Sequence, residues 1–410
     1  MYKQFKVRLY PNKIQEELIN KTIGCSRFIY NIMLSERMNN YELFKNDNIK
    51  RKNKSVKEYK QEYEFLSEPS FGALHETSRH LDTAYMNFFR NLKKGKVGFP
   101  KFKSKKRNKL SYTEQNCIYP KYNSIEIKDN YLKMLKVGRL KFRGLSSSFN
   151  GIIKFVTVEK TKTNKYYASI LVEKELDVKL RKYNCVIGLD LGLKEFIVTS
   201  NNEYYKGIKD KLYDIEKRIK HISKIHCRKQ KGSKRKEKIR LRLAKLYEYK
   251  TNVINHFQWN LVNKLCSENQ TIVIEDLNIS EMIKNKQLSH SIYYSNWGGF
   301  RQKLESKSKE YSSEIFVVDK YFPSSKTCSK CGNINKDLTL SDRIYVCECG
   351  LSLDRDYNAS LNLENYFNNI SDKLSDYNHR EQIRPKRVIV YNFSGKFNEV
   401  IIYPIGEKTC

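Results

Sequence analysis

Three carboxylates and four cysteines stand where chemistry could use them. Asp190 ends an apolar run, Val186-Ile-Gly-Leu-Asp190, and is followed by Leu191-Gly192. Glu275 ends a second run, Ile272-Val-Ile-Glu275, with Asp276 directly after it. Asp354-Arg-Asp356-Tyr-Asn358 sets an acidic pair at the start of helical sequence. A carboxylate at the end of an apolar strand is costly unless a cation or hydrogen-bond donors meet it. Three gathered together would repel, and a pair of Mg²⁺ or Mn²⁺ ions would relieve that repulsion with oxygen-only ligands. Two such ions, about 3.5–4 Å apart, activate an attacking water and stabilise the leaving oxygen of a phosphodiester. Each motif alone is equally a cap or a surface acid. Asp276 and Asp354 are rival ligands, and Asp354 also reads as a helix cap. The weight rests on the ordered set: strand-Asp, strand-Glu, cysteine cluster, Asp-x-Asp-x-Asn.

The cysteine cluster is Cys328-Ser-Lys-Cys331 and, further on, Cys347-Glu-Cys349. Spread at random, the ten cysteines of the chain would put only about half a cysteine in that window. Two tight pairs supply four soft ligands to tetrahedral zinc without a large core. Gly332 and Gly350 each follow a cysteine and ease the tight turns. The second pair is Cys-x-Cys where a zinc ribbon usually has Cys-x-x-Cys. Redox-active or simply reduced cysteines are the alternative. Catalytic zinc is not expected, because four thiolates leave no open position.

These groups sit in a strongly basic chain. It has 410 residues with 79 Lys+Arg against 45 Asp+Glu, a net charge of +34. That length suggests two or three domains, and 39% hydrophobic residues are enough to build cores. No apolar run reaches the roughly 18 residues of a membrane span, and the N-terminus interleaves charge with apolar residues unlike a signal peptide. A secreted or transmembrane protein is therefore not expected; the expected place is the cytoplasm. So large a charge calls for a polyanion, nucleic acid first and an anionic membrane surface second. Tyr and Phe, 29 and 20 in number, interleave with lysine as a base-stacking surface would. Two segments concentrate the charge: a loop at 93–109 with Lys101, Lys103, Lys105, Lys106 and Arg107, and a stretch at 228–236 with Arg228, Lys229, Lys231, Lys234, Arg235 and Lys236. Both read as phosphate contacts; the loop reads alternatively as a solvated linker.

The elements that must position these groups follow from periodicity. Residues 1–10 alternate as a strand, and Pro11 opens a helical region, about 11–92. Residues 110–176 read as strands, with hairpins turning at Asp129-Asn130 and at Thr163-Asn164; the first strand is expected to join their sheet. Residues 1–180 thus form a β-barrel-like domain with inserted helices and the basic loop. Strands then alternate with helices over 181–368, as in an α/β unit, with a basic helical hairpin at about 207–268 and the cysteine module at about 321–352. A C-terminal tail, 369–410, carries strand-like segments at Arg387–Phe393 and Val400–Pro404, or is mobile. The fold class is α+β and α/β, multidomain.

The ordered motifs resemble the TnpB (OrfB) family of insertion-sequence proteins. Gly188–Gly192 is similar to its Gly-hyd-Asp-hyd-Gly motif, Ile274–Leu277 to its Ile-Glu-Asp-Leu, Tyr321–Gly332 to its zinc-ribbon entry and Asp354–Asn362 to its third motif, with Ser360 in place of the usual Ala. Gly98-Phe-Pro-Lys-Phe-Lys-Ser-Lys105 and Tyr10-Pro11 also match, so the resemblance spans most of residues 1–365. It implies an RNase H-like (RuvC) nuclease domain with an inserted zinc ribbon. It further implies Asp190, Glu275 and Asp356 as the Mg²⁺ triad, Asp356 rather than Asp354 being catalytic. The partners it implies are a guide RNA and double-stranded DNA with a short adjacent motif, sequence being read by base pairing. A nucleic-acid-binding regulator or transposition accessory protein without cleavage is the alternative. A strand-transfer transposase is disfavoured, because the seven histidines are dispersed with no His-x-His pair.

Overall fold

The computed structural model describes residues 2–47, 52–95, 98–117, 123–145, 151–175, 185–285, 287–339, 341–380, 388–391 and 397–400. The chain divides into two compact units, Met1–Leu176 and Asp177–Cys410. The expected boundary at 180–181 lies outside the described residues.

In the first unit, β1 (Tyr2–Tyr10) leads into α1 (Lys13–Asp47). The helix starts two residues after Pro11 because Asn12 takes the cap. Its side chain accepts from the Gln15 amide at 2.9 Å, and the Gln15 side chain accepts from the Asn12 amide at 3.1 Å. Next come α2 (Val56–Glu62) and α3 (Phe71–Leu92), each opened by a serine whose hydroxyl accepts a first-turn amide. Strands β2 (Leu110–Gln115), β3 (Glu126–Lys128), β4 (Tyr131–Met134), β5 (Gly138–Arg143), β6 (Ile152–Lys160) and β7 (Tyr166–Glu173) follow. They form one sheet in the order β2-β6-β7-β1-β5-β4-β3, with β1 paired antiparallel to both β5 and β7. Asp129, Asn130 and Asn164 adopt positive φ of 51°, 60° and 59° at the hairpin turns, where short polar side chains tolerate the left-handed region.

The two edges of this sheet come together beyond β2. The Asn116 side chain accepts from the Ile125 amide at 2.9 Å and donates to the Ile153 carbonyl at 3.0 Å. Inward-facing Val7, Leu9, Leu132, Leu140, Val156, Val158, Ala168 and Ile170 fill the interior together with Ile19, Ile23 and Ala73 from the helices. The period-two alternation of each strand therefore buries one face.

In the second unit the central sheet has the order β10-β9-β8-β11-β12: β8 (Val186–Asp190), β9 (Glu195–Thr199), β10 (Tyr204–Lys206), β11 (Thr271–Glu275) and β12 (Glu314–Val318). Strands β8, β11 and β12 are parallel; β9 and β10 are antiparallel additions. Helices α4 (Lys209–Arg228) and α5 (Lys234–Glu268) form the hairpin between β10 and β11. Two short helices that periodicity did not reveal, α6 (Ile279–Met282) and α7 (Ser289–Ser295), precede α8 (Trp297–Tyr311). Asn296, at φ 48°, makes the break between α7 and α8. After β12 come the cysteine segment with its hairpin β13 (Ile344–Val346) and β14 (Ser352–Asp354), then α9 (Arg355–Arg380).

One face of the central sheet carries Ile187, Leu189, Ile272 and Ile274 against α5 and α8. The other packs Val273 and Val318 against Leu363 of α9. Both faces are covered, which is why β8 and β11 read as continuous apolar runs rather than alternating ones. α9 runs twelve residues past the expected domain end at 368, to Arg380. In the tail, β15 (Val388–Tyr391) and β16 (Phe397–Val400) pair antiparallel; the proposed strand Val400–Pro404 lies, after its first residue, outside the described residues.

Candidate functional site

Asp190, Glu275 and Asp356 reach one locality from three elements. Asp190 is the last residue of β8 and Glu275 the last of the adjacent parallel β11. Asp356 stands in the first turn of α9. The helix can come this close because of Gly188. A Cβ there would lie 2.0 Å from the Ser360 carbonyl oxygen and 2.9 Å from the Glu364 amide nitrogen. Gly192 has a separate reason: a Cβ there would lie 2.8 Å from the Glu195 carbonyl oxygen, in the turn to β9. The two glycines of Gly-Leu-Asp-Leu-Gly thus serve different approaches, one by a helix and one by the returning chain. Ser360, the departure from the family pattern, is fully buried; its hydroxyl donates to the Tyr357 carbonyl at 2.7 Å and leaves no unpaired polar group.

The rival acids have other partners. Asp276 accepts from Arg301 at 2.8 Å. Asp354 accepts from the Asp356 and Tyr357 amides at 3.0 and 3.1 Å, so it caps α9. Glu275 and Asp190 instead carry unrelieved cost. Burial and then Asp276 hold the Glu275 carboxyl above its ordinary range. Burial, then Asp356 and Glu275, push Asp190 up to about 8 despite the lowering effect of Arg355. An acid held neutral by burial and negative neighbours ionises once a cation arrives, so the donor set fits a hard divalent ion. Arg355 lies 3.5 Å from Asp356 and donates to the Thr339 carbonyl at 3.2 Å.

Tyr204 and Glu195 border the same centre, a placement the sequence did not signal. After burial, the charges of Asp354 and Asp356 raise the Tyr204 phenol, and a Glu195 carboxylate oxygen is buried without a hydrogen bond.

The four cysteines converge. All four sulfurs lie within 4.8 Å of one another, with Cys328–Cys349 and Cys331–Cys347 at 3.6 Å. A tetrahedron of zinc–sulfur bonds of about 2.3 Å has edges of about 3.8 Å, so the cage fits zinc. Gly332 and Gly350 stand at φ 77° and 86°, and their amides close the turns on the Cys328 and Cys347 carbonyls at 2.9 and 3.0 Å. The Cys-x-Cys pair is accommodated because Gly350 completes its knuckle. Among the described residues, the cysteines are the group of three or more metal-ligating side chains gathered this tightly.

Two asparagines join the cysteine module to α9. The Asn358 side chain donates to the Thr327 carbonyl at 2.7 Å and accepts from the Ser329 amide at 3.0 Å. One turn on, the Asn362 side chain donates to the Ser324 and Thr327 carbonyls at 2.7 and 2.6 Å. Both residues are buried. Their spacing of four in a helix, with a weak helix former at each place, was the available signal.

The basic residues expected to touch phosphate are placed as follows. Arg228, Lys229, Lys231, Lys234 and Arg235 are exposed around the α4–α5 turn, and the Lys236 ammonium donates to the Lys229 carbonyl at 2.8 Å. In the first unit, Lys101, Lys105, Lys106 and Arg107 are exposed while Lys103 is half-buried. This loop is not a plain solvated linker. Phe99 packs edge-on against Tyr85 and Phe88, with ring centres 5.7 and 5.3 Å away, and Pro100 is buried.

Family models match three stretches: a helix-turn-helix domain over residues 1–46, a probable transposase over 169–286 and a Cas12f1-like TNB domain over 297–363. Over the first stretch the structure has one strand and one long helix. A protein of Streptomyces pristinaespiralis named "Putative RNA-guided DNA endonuclease" is 31% identical over 366 residues, 88% of each chain. InsQ of Escherichia coli, named likewise, is 24% identical over 88% of this chain and 90% of its own. Among solved structures, a Cas12f1–sgRNA–target DNA complex matches with a TM-score of 0.53 and 17% identity, covering 89% of this chain and 98% of that one. That likeness bears out a mixed helix-and-sheet, multidomain fold. No described helix is long and apolar enough to cross a membrane.

Proposed function

The chain belongs to the TnpB (OrfB) family of insertion-sequence proteins, and from that premise we propose that it is an RNA-guided DNA endonuclease of a transposable element. The carrying observation is the meeting of Asp190, Glu275 and Asp356 from three elements, while Asp276 and Asp354 are engaged by Arg301 and by backbone amides. We read the five-stranded sheet with α9 as a RuvC-like nuclease domain and the cysteine module as a zinc ribbon set before the third motif. The first unit is then the part that holds RNA and the DNA beside the target.

In this reading Asp190 and Asp356 flank the divalent ions and Glu275 completes the site. Two Mg²⁺ ions held there would supply charge for an attacking water and for the leaving oxygen. The chain's own contribution is positional. Gly188 lets α9 lie on β8, and the Asp354 cap fixes the first turn that carries Asp356. Arg355 offsets part of the negative charge, and the pull of Arg301 on Asp276 leaves Glu275 to face the centre. The zinc cage is structural, holding the segment between β12 and α9 through Asn358 and Asn362. The charge of +34 neutralises the RNA and the heteroduplex it forms.

The test is to purify the protein from its host, sequence the RNA that accompanies it, and offer a matching DNA target with Mg²⁺ or with a chelator. Cleavage that needs the RNA, the match and the metal supports the proposal. Binding of RNA and target without cleavage under any metal would favour the regulator.

A further inference from the structure

The first unit contains a cavity of about 290 Å³ between α1, α3, β2 and the basic loop, lined in part by Ser26, Arg27, Lys103, Ser104, Tyr112 and Thr113. Its chemistry is unusual in three ways. Ser26 and Tyr112 are 5% and 3% exposed, yet the hydroxyl of neither has a hydrogen-bond partner in the protein. Burying such a group unpaired is unfavourable, so the site is built to receive an acceptor. Lys103 is half-buried, with its ammonium 3.8 Å from the centre of the Tyr30 ring. Among the described residues it forms no ion pair; Glu76, the buried acid of α3, is met by Arg79 at 2.8 Å. Burial accordingly lowers the Lys103 pKa. Finally, the lysine is held in place deliberately: the Asn31 side chain accepts from the Lys103 amide at 2.8 Å and donates to its carbonyl at 2.9 Å.

Two donor hydroxyls, a desolvated ammonium and the Arg27 guanidinium together select an anion with several acceptor oxygens. The cavity is far roomier than a lone phosphate requires, and its rim is the exposed run of Lys101, Lys105, Lys106 and Arg107, which suits a continuous polyanion. We propose that this cavity is a phosphodiester pocket: one backbone phosphate of a bound nucleic-acid strand enters it and is held by Lys103, Ser26 and Tyr112. The assignment rests on the nucleic-acid partners of the proposed function, but not on cleavage. It separates Lys103 from its neighbours on the loop, which meet phosphates as solvated point charges.

The test is equilibrium binding of the full chain, in EDTA so that cleavage plays no part, to three labelled probes: a 20-nucleotide single-stranded RNA, the DNA of the same sequence, and its duplex. The variants are Tyr112→Phe, Lys103→Met and, as an exposed loop reference, Lys106→Ala. Tyr112→Phe removes an unpaired buried hydroxyl and no charge, so its thermal midpoint should be unchanged or higher. It should nonetheless lose fivefold or more in affinity for at least one probe, and Lys103→Met should lose tenfold or more for the same one. That probe identifies whether RNA or DNA supplies the phosphate. Lys106→Ala should weaken all three evenly and less. If Tyr112→Phe binds every probe like the parent, and Lys103→Met behaves like Lys106→Ala, the pocket is overturned while the proposed function stands. If the parent binds none of the probes, both fall.

Discussion

Gly188 and Ser360 meet backbone to backbone: a single added carbon on Gly188 would fall 2.0 Å from the Ser360 carbonyl oxygen. This contact sets the depth at which α9 lies on β8, and so the separation of Asp190 from Asp356. Gly188→Ala should force the helix outward. Overpacking of this kind costs about 1–3 kcal/mol, and small displacements of a catalytic group cost about a hundredfold in rate. We expect a lower unfolding midpoint for the second unit and cleavage down by about a hundredfold or more, with RNA binding retained. Parent-like cleavage would mean that the helix position does not govern the site.

The two acids of Glu275-Asp276 should respond differently. Glu275→Gln should lose cleavage by about a thousandfold, as loss of a group acting directly on charge in the transition state does. Asp276→Asn should lose less than about tenfold, since its partner Arg301 keeps an acceptor. Rates of plasmid cleavage under identical RNA loading compare the two. The reverse order would make Asp276 the ligand.

Much of this was readable from one chain. The strand-end acids, the cysteine pairs, the two hairpin turns and the α4–α5 break were legible because local chemistry fixes them: positive φ at Asn130 and Asn164, glycine after each knuckle. The alternation of β1 marked it as a strand, but that it joins the sheet, and does so between β5 and β7, is a long-range pairing that no local signal encodes. The choice of Glu275 over Asp276 came from resemblance, because Arg301 is twenty-five residues away and invisible to a motif. Asn358 and Asn362 look like helix filler until their partners, Thr327 and Ser324, are seen across the module. The domain end was expected at 368, where the family motifs run out, and α9 continues beyond it to Arg380.

That asparagine clamp makes a prediction about zinc. Asn358→Ala would leave the part-buried Ser329 amide without its acceptor, at about 1–3 kcal/mol, while the Thr327 carbonyl keeps the Asn362 donor. The variant should bind one zinc per chain but surrender it to a chromogenic chelator several-fold faster than the parent. Cys331→Ser should fail to retain zinc at all. Equal release rates for Asn358→Ala and the parent would show that the clamp does not support the cage.

Glu114 gives the first unit a pH signature. It is 1% exposed on β2, and burial pushes its carboxyl from 4.5 up to about 7, against the lowering effect of the Ser70 hydroxyl. The folded state therefore binds this proton more tightly than the unfolded chain. Between about pH 4.5 and 7 the folded state holds more protons, so this group's contribution to stability falls as pH rises and levels off above about 7. Glu114→Gln should remove that decline, leaving the variant more stable at pH 8 by up to about 3 kcal/mol. Thermal unfolding of both proteins from pH 5 to 8 measures it; parallel curves would show that Glu114 is ionised in the fold.

The central claim is tested most directly at Asp190. The measurement is cleavage of a matched target by Asp190→Ala loaded with its guide RNA in Mg²⁺, beside its RNA affinity and its thermal midpoint in EDTA. The account predicts no detectable cleavage, unchanged RNA affinity, and a midpoint equal to or above the parent's, because a half-buried carboxyl pushed up to about 8 by desolvation and its negative neighbours is a cost to the metal-free fold. Cleavage within a few-fold of the parent would contradict the account and remove Asp190 from the site.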